Sequence, residues 1–200
     1  MVVADKDKLN NQIWTTRTSR INSEKRLKHK QSFIEGINIY YSCFTVLLSI
    51  ILLVKQNYPY SVLSLAMTII LTISILYFKS LRYADRAKDF RKNYTELQRL
   101  EFRLSHEIND EELTCIEQKY CTLLDGAENH IEFDYYKTVA QSHGDYKTKN
   151  WTNTVKWKYC WNVVWRKILE GVLIALPILL LLIVYWGQCD GWFVGVQRVE

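Results

Sequence analysis

Charge is missing altogether from residues 36–54 and 61–78 of this 200-residue chain, which contain no Asp, Glu, Lys or Arg. Buried helices of soluble proteins seldom run so far without a charge, which argues against a soluble core hairpin. Proline is almost as scarce, with only Pro59 and Pro177. Between Phe78 and Asn109 there is neither Gly nor Pro, so nothing there is expected to break a helix. The five cysteines (Cys43, Cys115, Cys121, Cys160, Cys189) form no CxxC and no paired spacing, so a disulfide framework is not expected and reduced thiols are. No Gly-rich phosphate loop, HExxH or GxSxG occurs, and nothing supports an enzyme or a cofactor. There is no internal repeat and no low-complexity tract. The stretch before residue 36 is polar, so no cleavable signal peptide is expected and insertion should use the hairpin itself.

What the chain does have is a pair of apolar runs of spanning length. An α-helix rising about 1.5 Å per residue crosses a hydrocarbon core of about 30 Å with such a run. The connector, residues 55–60, only has room to turn the chain straight back. Tyr40, Tyr41, Tyr58, Tyr60 and Tyr77 sit near the run ends, where amphipathic rings favour the lipid interface.

Residues 1–35 carry eight basic and four acidic side chains, a net of +4 beside the first run. Eight more basic residues from Lys79 to Arg103 follow the second run, whereas the connector has only Lys55. The positive-inside rule therefore places both flanks in the cytoplasm. The first ten residues read as loose, with a helix from about Asn11. One continuous helix is expected from Ser61 to about Glu107. Its polar half carries Phe90, Tyr94, Leu97, Leu104 and Ile108, with Glu101 on the same seam, close to a heptad spacing. That seam wants a partner: the N-terminal helix, the next helix, or another copy of the chain. Packing within one chain is the simplest of the three, and an oligomer seam is the sharper one.

Asn109 is placed to cap the next helix, with Asp110, Glu111 and Glu112 in its first turn. This helix ends at Asp125-Gly126, and residues 109–134 hold eight acids against Lys119, a net of −7. It should fold back on the basic helix as an αα-hairpin. Residues 135–167 return to +6, with Trp151, Trp157, Trp161 and Trp165 interleaved among the cations. That mixture fits a segment at the surface of an anionic leaflet; direct nucleic-acid binding is the less favoured reading. Residues 168–186 are a third spanning candidate, with Glu170 at the inner edge and Pro177 inside, which leaves residues 187–200 outside.

The hairpin carries hydroxyls at helical spacing. Asn38, Ser42, Thr45 and Ser49 share one face of the first run; Ser61, Ser64, Thr68 and Thr72 share one face of the second. Two readings stay open: ordinary helix packing in lipid, or the lining of a water-filled pore once hairpins gather. A Cys115/Cys121/His130 metal site matches no usual zinc spacing, so no metal is expected.

Taken in order, the segments carry a resemblance. Arg20-Ile21-Asn22-Ser23-Glu24-Lys25-Arg26-Leu27 leads into the hairpin. A long charged helix, a short acidic one and Glu128-Asn129-His130-Ile131-Glu132-Phe133-Asp134-Tyr135 follow. Over about residues 10–140 this resembles the SLATT family, two-transmembrane effector domains of bacterial conflict systems, especially the variant encoded beside reverse transcriptases. The third run looks like a subtype extension. Asn129, His130, Asp134 and Tyr135 resemble the end of that domain; no chemistry carries over to them, and Asn129 and His130 read as ordering the turn after Gly126.

The resemblance implies an anti-phage effector that injures the host membrane as an oligomeric pore. Its trigger would be a separately encoded sensor: a nucleotidyltransferase, a SLOG protein or a reverse transcriptase. The expected architecture is an all-α membrane protein of the bacterial inner membrane. It comprises a basic cytoplasmic segment (1–35), a transmembrane hairpin (36–78), a cytoplasmic helical region (79–134), a basic aromatic juxtamembrane segment (135–167), a third transmembrane helix (168–186) and an external tail (187–200). A non-conducting membrane scaffold for a cytoplasmic partner is the alternative.

Overall fold

The first helix, α1 (Val2–Val54), runs unbroken for 53 residues, about 80 Å at 1.5 Å per residue. The computed structural model describes residues 2–54, 58–106 and 109–189. The remaining elements are α2 (Tyr58–Ser80), α3 (Tyr83–Leu104), α4 (Asp110–Asp125), α5 (Glu132–Gln141), α6 (Gly144–Asn150) and α7 (Asn153–Cys189). There is no strand among the described residues, so the all-α expectation holds.

Two compact units share these helices. The first joins α1 up to Gln31 with Arg82–Val163. Its apolar core gathers Leu9 and Ile13 of α1, Leu97, Leu100 and Leu104 of α3, and Ile116 and Tyr120 of α4. A smaller cluster joins Leu27 to Ala87 and Phe90. Fully burying one such leucine contributes about 1.5–3 kcal/mol. The first ten residues are therefore not loose: Leu9 is drawn into the core, and the helix reaches back to Val2. The seam of α3 finds its partners inside the chain. Phe90, Leu97 and Leu104 are buried against α1 and α4, and Tyr94 is half-buried. Glu101 on that seam pairs with Arg17 of α1 at 2.8 Å.

Asn109 caps α4 as expected, its Oδ1 accepting the Glu112 N–H at 2.8 Å, and Gly126 ends it. The charge contrast between α3 and α4 is not realised as an ion pair among the described residues; they meet through apolar side chains. The single helix expected from Ser61 to Glu107 is instead two. α2 ends at Ser80, and Arg82 takes left-handed angles (φ 48°, ψ 41°), which cost about 1–2 kcal/mol for a residue with a Cβ. Tyr83 packs on the Leu27 cluster just past the break, and Arg82 Nε reaches Asp85 at 3.1 Å. Tertiary contacts hold this bend; no glycine or proline marks it.

The second unit joins Ser32–Leu81 with α7 from Val164. Its apolar side chains stay largely bare: Val46, Leu47, Ile50, Leu65, Ile69, Ile73 and Leu76 are all exposed, as are Ile178, Leu179 and Leu182 of α7. Contiguous apolar surface on this scale needs lipid or a partner to cover it. Among the described residues two helices are long and apolar enough to cross a membrane, one within Lys6–Leu53 and one within Tyr58–Leu104. In α7, Pro177 has no N–H for the Leu173 carbonyl four residues back. The Tyr41 hydroxyl of α1 donates to that carbonyl at 2.7 Å and takes the missing donor's place.

Candidate functional site

A layer of polar side chains, buried at Ser19, Asn22, Ser23, Asp134 and Thr138, joins α1 to α5. On α1, Ser19, Asn22, Ser23 and Arg26 fall at i, i+3, i+4 and i+7, so one face presents all four. Asp134, Thr138 and Gln141 answer from α5. Asp134 is 0% exposed. Its Oδ1 accepts from Arg26 Nε at 3.0 Å, and its Oδ2 accepts from Arg26 Nη2 at 3.0 Å and from Ser23 Oγ at 2.7 Å. Thr138 Oγ1 bonds Ser19 Oγ at 3.0 Å and accepts from Asn22 Nδ2 at 3.1 Å, which also reaches Gln141 Oε1 at 3.1 Å. A charge-assisted fork of this kind is stronger and more directional than a neutral hydrogen bond. It sets the register of α5 on α1.

Arg20, next along α1, is only 1% exposed and has no carboxylate among its bonded partners. Its Nη1 donates to Asn93 Oδ1 and, at 3.0 Å, to the Leu123 carbonyl, which also accepts from Asn93 Nδ2 at 2.9 Å. That carbonyl belongs to the last turn of α4, so the guanidinium sits at the negative end of the helix dipole. Its Nε is buried without a hydrogen bond. Burial pulls the Arg20 guanidinium below its usual range.

The four residues of the terminal motif separate in space. Asp134 forms the clasp. His130 is half-buried, and burial holds its imidazole below the usual range; the Arg20 charge adds to that and Asp134 opposes it. Tyr135 bonds Tyr146 of α6, and burial pushes its phenol up to about 12. Asn129 is exposed on the loop before α5. The two stretches that carried the resemblance, around residues 20–27 and 128–135, thus meet through Arg26 and Asp134. The i, i+3, i+4, i+7 run of Ser19, Asn22, Ser23 and Arg26 was readable as a stripe, but polar residues on a basic helix read by default as solvated.

In the second unit the hydroxyl faces do lie together. Ser42, Thr45 and Ser49 of α1 and Thr68 of α2 line a cleft of about 500 Å³ between the two helices. Ser49 Oγ and Ser64 Oγ bond across the pair at 3.2 Å. Ser42, Thr45, Ser49, Thr68 and Thr72 each donate to the carbonyl four residues back, so no hydroxyl in this set is orphaned in lipid. Thr45 and Ser64 are buried in the hairpin contact, Asn38 and Ser42 are half-buried, and Ser49, Ser61, Thr68 and Thr72 are exposed. Cys115 and Cys121 are separate, exposed thiols, and no cluster of three metal-ligating side chains occurs among the described residues.

Compared with known families, residues 4–183 match the SMODS and SLOG-associating 2TM effector domains, family 5. The chain belongs to SLATT family 5. The match takes in the hairpin and the third apolar run as far as residue 183. SLATT domains are effector domains with two membrane helices, and two helices of this chain meet that description. No curated protein and no solved structure matches the chain significantly.

Proposed function

We propose that this SLATT protein is the membrane effector of a bacterial anti-phage defence system, a homo-oligomer whose hairpins line a pore through the host's inner membrane. A separately encoded sensor triggers it: a SMODS-type nucleotidyltransferase or its nucleotide product, a SLOG protein, or a reverse transcriptase. The observation that carries the reading is the hairpin's division into two surfaces. Ser42, Thr45, Ser49 and Thr68 share one cleft with Val46, Ile50, Leu53 and Leu71, while the remaining faces carry no such hydroxyl cluster and are bare aliphatic surface. A non-conducting anchor for a cytoplasmic partner is the second reading; the Ser49–Ser64 bond favours it, because that bond spends hydroxyls on packing.

Substitution separates the two. Thr68→Leu places apolar bulk at an exposed position of the cleft, so the pore should dewet and resist opening. Thr45→Leu does the same nearer the hairpin contact. A lost hydroxyl hydrogen bond in lipid is worth only about 0.6 kcal/mol, so insertion and oligomer size should stay normal. Expected is loss of toxicity and of dye leakage on induction, with Leu65→Ile, on an exposed face outside the cleft, retaining both. Depolarisation equal to the parent's would sink the pore reading.

The N-terminus and residues 79–167 are proposed to be cytoplasmic, with residues 55–60 and 187–200 outside, and α7 crossing as the third span. The Tyr41–Leu173 bond supports α7 lying in the same apolar unit as the hairpin. In a background lacking Cys43 and Cys160, an impermeant thiol reagent should label Cys189 in intact cells and leave Cys115 and Cys121 untouched until lysis. Labelling of Cys115 or Cys121 before lysis would overturn this topology.

A further inference from the structure

Arg20 is a buried cation whose counter-charge within the chain is incomplete. The α4 dipole end offers about half an elementary charge, and Asn93 offers only a neutral oxygen. An uncompensated buried charge is destabilising, so a group that supplies the rest should bind where it can approach. The place is adjacent. Asn93 and Leu123, the two residues Arg20 bonds, also line a groove of about 830 Å³ between α3 and the loop after α4. Arg86, Arg91 and Lys92 line the same groove, and Glu128 bridges it by pairing with Arg86. With Lys88, Asp89 and Glu96 also counted, the lining cations exceed the lining acids by one, and Arg20 behind the wall adds a second positive charge.

We infer that this groove is a binding site for a compact phosphate dianion, a phosphate monoester or pyrophosphate group, with Glu128 as the intramolecular stand-in that it displaces from Arg86. The mixed lining is unsuited to a long polyanion. It suits one doubly charged group set against Arg86 and Arg91, whose planar forks match phosphate oxygens. The same chemistry is carried by a soluble phosphate compound and by the phosphate monoester headgroup of phosphatidic acid. The assignment does not depend on conduction, because binding is read directly.

The test uses the full chain in zwitterionic detergent and in phosphatidylcholine nanodiscs, titrated with inorganic pyrophosphate at constant ionic strength while thermal unfolding is followed. A saturable rise in melting temperature is expected. Arg86→Gln should weaken the half-saturating concentration by roughly tenfold, and Arg20→Met by at least as much. Lys119→Gln, the same charge change away from the groove, should leave it unaltered. Glu128→Gln should strengthen binding, and this variant removes no buried group, so it tests the site even if Arg20→Met fails to fold. If a lipid headgroup is the occupant, replacing part of the phosphatidylcholine by phosphatidic acid, whose headgroup is a phosphate monoester, should stabilise the parent but not Arg86→Gln, and pyrophosphate should then add nothing. No saturable effect of either probe, or equal effects on parent, Arg86→Gln and Glu128→Gln, would overturn the assignment.

Discussion

Asp134→Ala is expected to destabilise the first unit by about 3–5 kcal/mol, a large fraction of any domain's stability. The substitution strands Arg26, whose guanidinium gives three hydrogen bonds to the lost carboxylate and whose side chain is only 9% exposed. Ser23 also loses its acceptor. Pairing Asp134→Leu with Arg26→Leu should recover much of the loss, because an apolar pair of similar volume carries no stranded charge. By contrast Arg99→Ala, which breaks the exposed pair with Glu96, should cost under about 1 kcal/mol. Denaturant unfolding of the detergent-solubilised protein, followed by circular dichroism, measures all of these. An Asp134→Ala midpoint equal to that of Arg99→Ala would show that the clasp contributes nothing.

Leu97→Asp is expected to unfold the first unit outright. Leu97 is 0% exposed among Leu9, Ile13, Leu100, Ile116 and Tyr120. Deleting a buried leucine alone costs about 2–5 kcal/mol, and the unpaired carboxylate adds several more. Loss of cross-linked oligomers in this variant would therefore accompany loss of fold. Leu97→Ala is the graded companion: a lower midpoint with oligomers unchanged. Cross-links lost at an unchanged midpoint would instead return this seam to the role of a contact between copies.

Legibility in the sequence followed the kind of interaction. The spanning hairpin was legible because absence of charge over residues 36–54 and 61–78 is a local property. Asn109 and Gly126 were legible because caps and stops act within one turn. The bend at Arg82 was not, since it is held by Tyr83 meeting Leu27 from far along the chain. The helical state of the first ten residues depends on Leu9 reaching a core built mostly from α3 and α4. The α1–α5 layer was hidden for a different reason: Ser19, Asn22 and Ser23 read as solvent-facing until Asp134 and Thr138 supply their partners. For the hydroxyls, spacing placed Ser42, Thr45, Ser49 and Thr68 on facing surfaces, but periodicity cannot distinguish Ser49 bonding Ser64 from Ser49 facing water.

The proline of α7 has a consequence for motion. A regular apolar helix in lipid can turn about its own axis at little cost, since every azimuth presents similar aliphatic surface. Pro177 removes that indifference by leaving one carbonyl, that of Leu173, dependent on a hydroxyl from another helix. Turning α7 or sliding it by a single residue carries that oxygen away from Tyr41 and leaves it without a donor. The pair therefore acts as a detent: one angular setting of α7 against α1 is preferred, and leaving it requires a new donor to be found.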